Sequence, residues 1–157
     1  MPETANSYEA EINETVRDLF ETMLATKAEP TADPVPKGPD TITAIMAFVG
    51  SWKGDLLLEC GRGQALAFAQ RFLQTDDLDP HSEDVTSTVA EMSNIIAGNL
   101  KVVLPAGVSM GTPSVVEGGH YDVRICGAKV INETFFVTDA GPFAIRLIEA
   151  SGQNKGR

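Results

Sequence analysis

Apolar positions fall into two periods along this chain. From Ile12 onward, Val16, Leu19, Phe20, Met23 and Leu24 recur at three- and four-residue steps. That spacing lays one apolar stripe along a helix. Ser7 stands ahead of it as a candidate cap, and Glu9 and Glu11 fall in the first turn, where acids suit the helix dipole. The stripe fades near Lys27. Pro30, Pro34, Pro36 and Pro39 then make 27–40 an extended, Pro-rich connector. Residues 41–49 are β-branched and apolar, 50–54 form a turn, and 55–60 read as the returning strand of a hairpin. Gly61-Arg62-Gly63 breaks the chain before a short helix over 64–73. This break lacks the GxxxxGK[ST] pattern and the remaining glycine of GxGxxG, so it reads as a strand-to-helix turn and not a phosphate loop.

An acidic loop over 75–80 leads to a long helix over 84–103, which Ser82 or Asp84 can cap and Pro105 and Gly107 end. Strands are predicted at 113–116, 121–125, 128–137 and 142–149, with a hairpin turn at 138–141. Residues 151–157 are polar and read as a frayed tail. The order is helix, strand, strand, helix, helix, then three or four strands. It predicts an α+β fold, a β-sheet packed against long helices, within one domain over 1–157. An early helix-then-hairpin is echoed by a later helix-then-strands, although residue identities do not establish a repeat.

The long helix carries two stripes. At about 100° per residue, Val85, Val89, Met92, Ile96, Leu100 and Val103 share one face, which should pack inward. Ser87, Glu91, Asn94 and Gly98 share the opposite face. Glu91 and Asn94 stand three apart and so are neighbours in space. Gly98 keeps the next turn low, so that another protein can approach closely. The bland counterpart is a solvated polar face with an incidental glycine.

Composition narrows the partners. The formal net charge is −10 and no Lys/Arg cluster is present, which disfavours nucleic acid and anionic membrane. Hydrophobic residues at 43% and charged residues at 22% are ordinary globular usage. Residues 1–7 lack a basic start followed by an apolar run, and no apolar stretch suits a bilayer, so a cytoplasmic protein is expected. Cys60 and Cys126 sit in apolar, strand-like contexts and read as reduced thiols. His81 and His120 have no second histidine at metal-ligand spacing.

The run Ser87-x-x-x-Glu91-x-x-Asn94, followed by Gly111-Thr112-Pro113-Ser114-Val115-Val116, resembles the signature of the CheC/CheX/FliY phosphatase family. The segment EMSNIIAGNL over 91–100 is most similar to CheX. The gap from Asn94 to Pro113 is shorter than the family pattern. The first helix offers Ser7-x-x-x-Glu11, but Glu14 occupies the place of the asparagine, so one working centre is expected. A carboxylate cannot both donate and accept as an amide does.

The resemblance implies a CheC/CheX-like fold and a phosphatase acting on the aspartyl phosphate of a CheY-like response regulator. Asn94 would orient the water and Glu91 would pair with the receiver lysine. Ser87, Gly98 and Pro113 would contact the substrate. No cofactor of the protein's own is implied, since the receiver supplies Mg²⁺, and a homodimer is implied. Two other readings remain open on the sequence: a non-catalytic adaptor for a receiver or flagellar-switch protein, and a small-molecule sensor, which no residue cluster supports.

Overall fold

A computed structural model describes residues 2–36, 38–118 and 129–150, with side chains described from Tyr8 onward. Among the described residues three helices, α1 (Pro2–Met23), α2 (Arg62–Leu73) and α3 (Glu83–Leu100), accompany seven strands. These are β1 (Glu29–Thr31), β2 (Thr41–Gly50), β3 (Gly54–Gly61), β4 (Val108–Met110), β5 (Ser114–Glu117), β6 (Lys129–Thr138) and β7 (Gly141–Glu149). The strands form one antiparallel sheet in the order β1-β6-β7-β3-β2-β4, with β5 also on β2. Among the described residues, no helix is long and apolar enough to cross a membrane.

Alternation along the strands decides where the core lies. Ile42, Ala44, Met46 and Phe48 of β2, Leu56, Leu58 and Cys60 of β3, and Phe143, Ile145 and Leu147 of β7 join the helices in one apolar cluster. The helices therefore cover one face of the sheet. Its centre holds four aromatic rings. Phe143 stacks on Phe20 at 5.0 Å and on Phe136 at 5.1 Å, and meets Phe68 edge-on at 5.7 Å. The rings bind α1, α2, β6 and β7 together.

Glu59 and Arg146 occupy the opposite face. Arg146 of β7 donates to Glu59 of β3 and to Glu133, its cross-strand partner on β6. Burial works against the guanidinium's charge, yet the two carboxylates outweigh it and hold the Arg146 pKa above its ordinary value. The ion pair with Arg146 offsets the cost of burying the Glu59 side chain, which is 2% exposed. Cys60 points into the core, and burial, helped by the Glu59 charge, pushes its thiol pKa up to about 12. His81 is exposed. Cys126, His120, the expected strand at 121–125 and the tail at 151–157 lie outside the described residues.

Two expectations change. The first helix begins at Pro2, so Ser7 sits inside it and does not cap it. The segment 27–40 holds a short strand, β1, whose Glu29, Pro30 and Thr31 pair with Val137, Phe136 and Phe135. Pro30 is tolerated there because β1 is an edge strand. Among the described residues β7 is central, between β6 and β3, and the outermost strands are β1 and the β4–β5 run.

That run is one edge strand with a fault in it. Before the fault Phe48 pairs with Met110; after it Ile45 pairs with Ser114. Three residues, Gly111 to Pro113, thus oppose two, Met46 and Ala47. The extra residue makes a bulge, and Pro113, which has no N–H for the ladder, sits within it.

The sheet order also gives substance to the internal echo. Helix α1, edge strand β1 and hairpin β2–β3 precede α2; helix α3, edge strand β4–β5 and hairpin β6–β7 follow it. Each edge strand pairs with the other half's hairpin, β1 with β6 and β4–β5 with β2, and the halves join through β3 and β7.

Candidate functional site

Helix α3 packs against α1, α2 and the β2–β3 side of the sheet. Val85, Val89, Met92, Ile96 and Leu100 are all 0% exposed, so the inward stripe is the expected one. Val103, expected on it, lies past the helix in a 3-10 turn (Lys101–Val103) and is only partly buried. Helical geometry then turns the other stripe outward. Ser87, Glu91 and Gly98 are exposed and Asn94 is half-buried.

Other polar side chains on this helix are tied down. Thr88 Oγ1 donates to the Asp84 carbonyl at 2.8 Å, Ser93 Oγ to the Ala90 carbonyl at 2.9 Å, and Asn99 Nδ2 to the Ile95 carbonyl at 3.0 Å. Neither Glu91 nor Asn94 has a side-chain hydrogen-bond partner among the described residues. A carboxylate and an amide one helical turn apart thus keep their whole bonding capacity for something outside the chain.

Gly98 adds access. A Cβ built there would come no nearer to anything than 4.0 Å, from Met110 Sδ. The fold therefore has no steric need for a glycine at this exposed helix position. Gly98→Ala is expected to raise stability by up to about 1 kcal/mol, measured by urea denaturation. A loss of stability would show that the packing needs the glycine.

Helix α1 flanks the ridge. Glu11, Glu14, Thr15 and Asp18 line an open groove of about 360 Å³ together with Ile95 and Asn99 of α3. Glu11, Ile12, Glu14, Val16 and Phe20 each lie 80 positions before Glu91, Met92, Asn94, Ile96 and Leu100. Ile12, Val16 and Phe20 are as fully buried as Met92, Ile96 and Leu100. The two helices therefore bury equivalent positions, and Glu14 stands exposed where α3 presents Asn94. Pro113 is placed in the edge-strand bulge, three residues past the Met110 that abuts Gly98. Among the described residues, no three His, Cys, Asp or Glu side chains cluster so as to hold a metal ion.

The sequence profile of the family described as "Chemotaxis phosphatase CheX" matches residues 42–135, more than half of the chain. The chain belongs to the CheX family. Solved CheX structures share its fold across nearly the whole length. The chemotaxis protein CheX from Vibrio vulnificus is 23% identical with a TM-score of 0.74, over 92% of this chain and 98% of that one. CheX from Desulfovibrio desulfuricans is 21% identical with a TM-score of 0.70, over 91% and 99%. A CheX from Borrelia burgdorferi, solved in a complex with CheY, BeF3 and Mg²⁺, is 18% identical with a TM-score of 0.67, over 90% and 97%. No curated protein matches the chain by sequence.

The strand β4 was absent from the sequence-based expectation, and with it the proximity of Met110 to Gly98. The only signal for it was the short alternation Val108-Ser109-Met110, too brief to separate from a loop.

Proposed function

We propose that this CheX-family protein hydrolyses the aspartyl phosphate of a CheY-like receiver domain. Asn94 orients the attacking water and Glu91 pairs with the receiver lysine. The observation that carries this reading is the unpartnered Glu91–Asn94 pair, one turn apart on the outward ridge of α3.

The chemistry asks little of the enzyme. The water oxygen bonds to phosphorus as the bond from phosphorus to the aspartyl oxygen breaks, and the carboxylate leaves as a stable anion. Such transfer depends on placement and electrostatics, and an amide can hold the water in line. The receiver contributes Mg²⁺ and lysine to the joint site; the Borrelia burgdorferi CheX solved in a complex with CheY, BeF3 and Mg²⁺ is consistent with the Mg²⁺ part of this reading. Glu91 brings a negative charge beside a phosphoryl group, a cost that a lysine partner offsets. Ser87, Gly98 and Pro113 contact the docked receiver. The protein acts in the cytoplasm, as a homodimer.

The test is phosphate release from phosphorylated receivers of the source organism, with and without the protein. Wild type should shorten the lifetime of at least one receiver. Glu91→Ala should lose both rate and affinity, because the lysine partner is gone. A wild type that binds a receiver without changing its lifetime would convert the reading to an adaptor.

A further inference from the structure

The outward ridge of α3 does not end at Gly98. Leu100 and Lys101 keep right-handed helical backbone angles, and the chain turns on through Lys101–Val103. Val102 comes one turn beyond Gly98 and is 76% exposed, the most exposed of the large hydrophobic side chains on the described surface. Between Val102 and Asn94 lies the open notch at Gly98, with Met110 Sδ at its edge. A polar pair, an unfilled notch and a bare apolar side chain thus follow one another along a single ridge.

An isolated exposed apolar residue is common and needs no account. This one is different in being continuous with the ridge that carries Glu91 and Asn94. We infer that Gly98, Met110 and Val102 form an apolar seat for the receiver, taking an apolar side chain from the surface beside its phosphorylation pocket. The inference rests on the reading of Glu91 and Asn94 given above. Eight helical rises separate Val102 from Asn94, roughly 12 Å. A contact at that distance lies outside the pocket that holds the phosphoryl group. The seat therefore governs affinity and choice of receiver, and leaves the chemical step alone. Val102 is a specificity residue in this scheme, not a catalytic one.

Two measurements on Val102→Asp and Val102→Ile test it. The first is binding of a BeF3⁻- and Mg²⁺-activated receiver domain, by titration calorimetry; the second is the receiver-concentration dependence of phosphate release. Val102→Asp should weaken binding about tenfold or more, the scale of a well-buried interface contact. It should raise the half-saturating receiver concentration to match, with the saturated rate within about twofold of wild type. Val102→Ile should restore both. An Asp variant that binds the activated receiver as tightly as wild type overturns the seat, while leaving the catalytic reading to stand or fall on Asn94. If wild type binds a receiver but does not speed its hydrolysis, the catalytic reading falls and the binding arm still decides the seat. If wild type binds no activated receiver, both are overturned.

Discussion

Asn94→Ala is expected to cut receiver dephosphorylation on the order of a hundredfold, the scale of loss when a reacting group is misplaced. Binding of the activated receiver should persist. The amide is half-buried on the outward face of α3 and makes no hydrogen bond within the described protein, so its removal leaves no partner stranded. Substitutions of this kind usually shift stability by less than about 0.5 kcal/mol. Rate and affinity should therefore separate: Asn94→Ala loses rate, Val102→Asp loses affinity, and Glu91→Ala loses both. Single-turnover decay of a phosphorylated receiver at saturating enzyme isolates the rate. A wild-type rate in Asn94→Ala would remove the proposed mechanism.

The largest effect on stability is expected from Phe143→Ala. Phe143 is fully buried and touches three other rings, two of them nearly parallel to it, with interplanar angles of 10° and 13°. Its removal withdraws the common partner of Phe20, Phe68 and Phe136 and opens a cavity between α1, α2 and the sheet. Phe-to-Ala changes in cores cost about 3–5 kcal/mol. In a chain of this size that lowers the melting temperature by on the order of 10 °C. Calorimetry with paired urea denaturation would measure it. A cost near or below about 1 kcal/mol would mean that the four rings do not act as one packed unit.

These two residues also mark what could be read from the chain and what could not. Asn94 was legible. Helical period and one-sided burial are local properties, so Val85, Val89, Met92, Ile96 and Leu100 were enough to turn Glu91 and Asn94 outward. The hairpins were legible for a similar reason: short polar turns link adjacent strands, and β2–β3 and β6–β7 pair as neighbours in sequence.

Pairing between distant strands was not legible. A period of two assigns a strand its faces, but it does not name the strand's neighbours. Nothing local says that the three residues of β1 cross to β6, or that β3 and β7 meet and make one sheet of two halves. The same holds for the bulge at Pro113, which exists only because ten residues of β2 must be matched by two short runs. The Glu59–Arg146–Glu133 group comes together only once β3, β7 and β6 lie side by side. The ridge that carries Glu91 and Asn94 was thus set by the sequence alone, because one helix suffices to display it. The wall beside it was set by tertiary structure, because Met110 reaches Gly98 only after the β4–β5 strand has paired with β2 and been laid along the edge next to α3.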